Sequence, residues 1–287
     1  FQDIEGSAKP KPRFRTRAKM LWDDTYFYVA AELQEPHVWG MVTNHDAVIF
    51  QDPDFEVFID PDGDRHNYYE FEMNALNTTW DLLLKKPYID GGPALNEWEI
   101  AGLKTAVHMT GTINHAVDQD QGWSVEIAFP WKALAEYSMQ RSPPVEGDLW
   151  RVDFSRVEWQ IEIKNGRYEK VRGKKEDNWV WSPAGIIDMH RPEKWGYVKF
   201  TRSEAAQQFT APLDFNAAAL IDFYYLQKEF RSRNKHWAPT LTELYSAFPP
   251  RFRGLTIDFH PTAKGYEANV HEEPGLHIRE DGLLWRP

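Results

Sequence analysis

Three carboxylates alternate around a turn in Asp60-Pro61-Asp62-Gly63-Asp64. Carboxylates at this spacing, with a glycine for the tight turn, suit a hard cation such as calcium. Asp60, Asp62 and Asp64 are therefore candidate ligands for a structural Ca2+. Counted from Asp60, the last position of a helix-flanked calcium loop would fall on Phe71, where a bidentate Glu belongs. A plain acidic β-turn is the competing reading. Four more carboxylates, Glu56, Glu70, Glu72 and Glu158, lie in short apolar segments. Two of them about 5–9 Å apart could cleave a glycosidic bond, provided one holds its proton. They could equally accept hydrogen bonds from the hydroxyls of a bound sugar. No Gly-x-Ser-x-Gly, phosphate-loop or dinucleotide motif is present, and no two histidines have the His-x-x-x-His spacing of a helical zinc site. No organic cofactor is expected.

The segments that must position these groups read as strands. In Phe55–Ile59 the residues Phe55, Val57 and Ile59 alternate with Glu56, Phe58 and Asp60, and in Tyr69–Asn74 the residues Tyr69, Phe71 and Met73 alternate with Glu70, Glu72 and Asn74. Alternation puts successive side chains on opposite faces of a sheet. In Trp150–Trp159, Arg156 and Glu158 share a side with Val152 and Phe154. Carboxylates, an amide and a guanidinium can thus collect on one face, with charged planar groups for hydroxyl pairs and rings for the CH face of a sugar. The expectation is that Glu56, Asn74 and Arg156 meet in one concave patch, with Trp80 or Trp181 at its rim. A solvated outer face with paired charges is the alternative.

Further runs at Arg15–Leu21, Tyr26–Leu33, Trp80–Lys85, Lys104–Thr110, Gly111–His115, Trp123–Phe129, Tyr168–Val171 and Tyr197–Thr201 have strand character, with a helix over Pro130–Tyr137. Residues 1–14 read as an entry segment. Many short strands between turn signals predict a mainly β protein, an antiparallel β-sandwich of immunoglobulin or jelly-roll type. The pattern changes near residue 203. Phe215–Arg233 has helical spacing, Thr240-Leu241-Thr242-Glu243 is a capping box, and short strands follow, with a hairpin turn at Asp281-Gly282. The reading is a sandwich over 1–202 and an α+β extension of unknown role over 203–287.

Composition narrows the partners. The net charge of -11 repels nucleic acid and anionic membrane and leaves neutral glycans and cations as better fits. With 13 Trp, 12 Tyr and 17 Phe, rings are plentiful for a core and for a ligand. The absence of cysteine excludes disulfides and thiolate chemistry. No run of about 18 apolar residues predicts a membrane span. The sequence begins at Phe1, which predicts a processed N-terminus and an exported protein, in the periplasm, at the cell surface or outside the cell.

Several ordered blocks over roughly residues 15–202 resemble the family 9 carbohydrate-binding modules. They are Arg17-Ala18-Lys19-Met20-Leu21-Trp22-Asp23-Asp24, Tyr26–Ala31, Glu35-Pro36, Asp54–Asp60, Gly122–Trp131 and Pro192–Tyr197. The resemblance implies a non-catalytic sandwich that binds an oligosaccharide or polysaccharide, often at a chain end, between two aromatic rings. It also implies structural calcium. Glu56 matches a family carboxylate that contacts sugar, and Asn74 a polar position on the next strand. A family arginine corresponds to Glu72, with Arg156 a possible replacement. The family's clamp tryptophans correspond to Phe50 or Gln51 and to Met189-His190, so neither is reproduced in place, and Trp80, Trp179 and Trp181 are the nearby rings. The sugar-site candidates are Glu56, Glu72, Asn74, Trp80, Arg156, Glu158, Trp179, Trp181 and His190. The reading is glycan recognition in support of glycan breakdown. The alternatives are a glycan-active hydrolase or a subunit of one, and an interaction domain whose sugar site has decayed.

Overall fold

The computed structural model describes residues 1–203, 209–210, 214–252, 255–271 and 275–287. The chain forms two compact units, Phe1–Gln208 and Phe209–Pro287.

In chain order the strands of the first unit are β1 (Gln2–Asp3), β2 (Thr16–Trp22), β3 (Tyr26–Gln34), β4 (Asp54–Asp60), β5 (Tyr68–Asn74), β6 (Thr79–Leu84), β7 (Ala94–Leu95), β8 (Lys104–Thr110), β9 (Gly122–Pro130), β10 (Leu149–Glu158), β11 (Ile161–Lys164), β12 (Arg167–Lys170), β13 (Asp177–Val180) and β14 (Gly196–Lys199). Antiparallel pairing gives a sheet ordered β2-β3-β9-β8 and a larger one ordered β1-β13-β10-β4-β5-β6-β7, with β14 also paired to β10. The hairpin β11-β12 stands off both. Alternation selects the inner faces. Phe27, Val29, Ala31 and Leu33 of β3 and Trp123, Val125, Ile127 and Phe129 of β9 join Phe55, Val57, Ile59, Tyr69, Phe71, Met73, Trp150, Val152 and Phe154 of the larger sheet in one buried cluster. This is a two-sheet antiparallel sandwich. Each fully buried large apolar side chain stabilises it by about 1.5–3 kcal/mol.

Two local expectations and one alternative are corrected. The segment 111–115 is a turn, not a strand. Gly111 has φ 152°, and a Cβ there would lie 2.0 Å from Asp120 Oδ1, which accepts a hydrogen bond from Thr112 N. The entry segment contributes β1, an edge strand on β13. The outer face of β4 and β5 is not solvated either: every residue of both strands is buried.

In the second unit, Asp214 caps helix Phe215–Asn234 by accepting from Ala217 N, and Lys235 closes it in the left-handed conformation. Thr240 accepts from Glu243 N at the start of helix Leu241–Ala247. Four short strands, β15 (Ile257–Pro261), β16 (Tyr266–Val270), β17 (His277–Arg279) and β18 (Leu284–Trp285), form an antiparallel meander, with Asp281-Gly282 between the last two. Leu220, Phe223, Tyr224, Tyr266, Ala268 and Ile278 are among its own buried core.

Candidate functional site

The register of the larger sheet sets the site. Across β10, β4, β5 and β6 one row of cross-strand partners reads Ser155, Glu56, Glu72, Trp80, and the next reads Asp153, Phe58, Glu70, Leu82. These side chains share the face turned away from the core. Glu56, Glu70, Glu72, Phe58 and Trp80 line a cleft of about 300 Å³, with Phe50, Tyr88, Glu176, Asn178, Met189 and His190 among its other walls.

The cleft is electrostatically unusual. Like charges directly opposite in a ladder destabilise it, yet Glu56 faces Glu72. Burial raises the Glu56 carboxyl to about 7, with the Ser155 hydroxyl pulling the other way. Burial, and then the Glu56 charge, push Glu70 and Glu72 well above the usual carboxylate range. Asp54, at the end of the same face, is raised for the same two reasons. Burial lowers His190 to about 4, so its imidazole is neutral at pH 7. That ring is hydrogen-bonded to the Tyr68 hydroxyl at 3.0 Å through Nδ1 and stands edge-on to Tyr88 at 4.4 Å, with Nε2 4.0 Å from Glu70.

Among the described residues of this face, Glu56 Oε2, Asp54 Oδ2, Ser155 Oγ and Trp80 Nε1 are buried without a hydrogen-bond partner. A buried polar group in this state costs about 1–3 kcal/mol, and a ligand that meets it recovers that cost.

The structure brings together Glu56, Glu72, Trp80 and His190 and separates the other sugar-site candidates from them. Asn74 lies on the same face, but its amide is fully used. Nδ2 donates to Val42 O and Asp52 Oδ2, and Oδ1 accepts from Leu76 N and Thr78 N. Arg156 does not reach Glu56. Ser155 is the partner of Glu56, so Arg156 points to the other face, beside Phe154. There it is fully buried, donating to Glu35 at 2.7 Å, Glu158 at 2.6 Å and Gln34 O at 2.9 Å. Burial and the Glu158 charge raise Glu35 to about 9. Trp179 is the cross-strand partner of Arg156, and its ring lies 5.4 Å from the guanidinium. Glu158 and Trp179 are thus structural partners of Arg156. Trp181 packs on Phe154 at 5.6 Å and against Gly196, where a Cβ would sit 2.4 Å from its ring.

Residue-type reasoning missed Tyr88, Glu176 and Asn178. They come from loop segments and the four-residue strand β13, which is too short to show a periodic signal. Phe50 and His190 had one signal, their alignment with the clamp positions of the resembling family.

Asp60, Asp62 and Asp64 place one oxygen each within 4.8 Å of the others. Asp60 accepts from Gly63 N and Arg65 N, Asp62 from Met139 N and Asp64 from His66 N. Burial, then the Asp62 and Asp64 charges, hold the Asp60 carboxyl well above its ordinary value. A divalent cation fits this donor set, since it would relieve the mutual repulsion.

The family described as "Carbohydrate family 9 binding domain-like" matches residues 1–145. Two curated relatives are each 27% identical. They are the exoglucanase XynX of Acetivibrio thermocellus over 117 residues, 41% of this chain, and the endo-1,4-beta-xylanase A of Thermoanaerobacterium saccharolyticum over 116 residues, 40% of this chain. The matched part covers only 9% and 8% of those proteins. Among solved structures, a family 9 carbohydrate-binding module from Caldicellulosiruptor kristjanssonii in complex with cellotriose is 18% identical, with a TM-score of 0.42, covering 71% of this chain and 84% of that one. The family match spans half of the sequence, and the chain belongs to the carbohydrate family 9 binding domain-like family.

Proposed function

We propose that the first unit is a non-catalytic carbohydrate-binding module and that its ligand lies in the cleft above Glu56, Glu70 and Glu72. The observation that carries this reading is the pairing of unmet polar atoms with rings. Glu56 Oε2 and Trp80 Nε1 are buried without partners in a cleft that also offers Phe50, Tyr88 and His190. A sugar supplies both hydroxyls and a CH face. The names of the curated relatives make β-glucan and xylan oligosaccharides the first probes. A glycan array followed by calorimetric titration tests binding, and mass spectrometry of incubated oligosaccharides tests for cleavage. Retention of intact ligand supports a module, and shortened products overturn it.

Within the same reading, the protein acts outside the cytoplasm in glycan recognition. Among the described residues no helix is long and apolar enough to cross a membrane. Asp60, Asp62 and Asp64 would hold a structural Ca2+, fixing the turn between β4 and β5.

A further inference from the structure

Among the described residues, Glu56, Glu70 and Glu72 have no ion pair with a Lys or Arg. Glu56, Glu70, Glu72 and Glu176 line the cleft, and among its described lining residues there is no Lys or Arg. Asp188 also lines it but accepts from Arg191 Nε at 2.7 Å. The one basic ring among those residues, His190, is uncharged near neutral pH because burial opposes its protonation. Glu56 is 4% exposed, and its Oε2 has no hydrogen-bond partner. Asp54, Glu56 and Glu72 bring carboxylate oxygens within 4.8 Å of one another. Backbone amides meet one oxygen each of Glu72 (Phe50 N, 3.0 Å) and Asp54 (Val157 N, 3.1 Å). Burial and proximity favour the protonated forms of the three groups, and a cationic donor among them would favour ionisation and form charge-assisted hydrogen bonds.

The remaining walls decide what carries that cation. A bare metal ion would satisfy the carboxylates but leave the Trp80 N–H, a buried donor, without an acceptor. It would also leave the Phe50, Trp80 and Tyr88 rings without an apolar face to cover. A neutral sugar would cover the rings and supply a hydroxyl oxygen to Trp80 but bring no positive charge. A sugar with a free amine does all three. Its ammonium offers three donors, its hydroxyl oxygens accept, and its CH face stacks on the rings.

We propose that the cleft selects an amino sugar, a hexosamine unit whose free ammonium sits among Glu56, Glu70 and Glu72. This rests on the carbohydrate-binding reading above and narrows its ligand class.

The test uses three β-1,4-linked trisaccharides that share their ring hydroxyls and differ only at C2: glucosamine, N-acetylglucosamine and glucose. Calorimetric titration of the whole chain should find the amine form at least about tenfold tighter than either neutral form, the margin of a charge-assisted over a neutral hydrogen bond. Rising salt should reduce that margin. Glu72→Gln and, separately, Glu70→Gln should each reduce the ratio of amine to neutral affinity, a readout that modest loss of folded protein does not change. Cellotriose binding as tightly as the amine form would overturn the amino-sugar proposal while leaving carbohydrate binding intact. Failure of all three sugars would overturn the amino-sugar proposal, and the glycan array would then decide the carbohydrate-binding reading separately. Calcium binding that disappears in Glu72→Gln, without any amine preference, would overturn the proposal in favour of a metal.

Discussion

Glu56 on β4 and Glu72 on β5 are direct cross-strand partners, buried side by side with carboxylate oxygens within 4.8 Å. No sheet gains stability from this arrangement. It is tolerated because burial favours the protonated forms of these carboxyls, which reduces the repulsion.

The first prediction follows from the Glu56 proton. In the unfolded chain this carboxyl titrates near 4.5, and in the cleft at about 7. The folded protein holds the proton more tightly, so the stabilising contribution is complete below pH 4.5 and is lost as pH rises through 7. Glu56→Gln keeps the shape and removes the titration. At pH 8 the variant should be more stable than the parent by about 1–3 kcal/mol, since each tenfold gain in proton affinity on folding is worth about 1.36 kcal/mol. That advantage should shrink towards pH 4.5. Urea unfolding at pH 4.5, 6 and 8 measures it, and a pH-independent difference contradicts it.

Arg156 should matter for stability, not for the ligand. It is fully buried between Glu35 and Glu158 and beside Trp179. Truncation leaves two buried carboxyls facing each other, and removing one partner of such a network costs about 3–5 kcal/mol. Arg156→Ala should show this loss in urea unfolding. A cost below about 1 kcal/mol would mean the network is solvated or rearranges.

The acidic turn gives a third prediction. A cation bound only by the folded state raises stability with its concentration. Chelator should lower the Tm of the parent, excess Ca2+ should restore it, and Asp62→Asn should blunt both responses. An unchanged Tm, with no metal in elemental analysis, removes the calcium assignment.

Much of the sandwich was legible in the sequence because period-two alternation is a local property. Phe55, Val57, Ile59, Phe71 and Val125 could be placed inside from their own segments. The site was legible only in part. Alternation says which residues share a face but not which face, and the Arg156 error arose there. The deciding fact is the Ser155–Glu56 register, set between strands about a hundred residues apart. Asn74 sits on the expected face, but its hydrogen bonding was not legible. Residue type shows an amide but not that the 42–52 and 76–78 segments consume all its hydrogen-bonding capacity. The loops that close the cleft at Tyr88 and His190 have no periodicity to read.

The central claim is that the Trp80 side of this cleft holds a sugar. Trp80 lines the cleft with an unmet N–H and lies outside the main sandwich core. The direct measurement is calorimetric titration of the parent and Trp80→Ala with the tightest saccharide found on an array, with thermal unfolding of both proteins as the control. The account predicts an affinity loss of about 1–3 kcal/mol, the scale of one aromatic contact and one hydrogen bond, with the folding transition retained. Equal affinity in the two proteins would place the sugar elsewhere and contradict it.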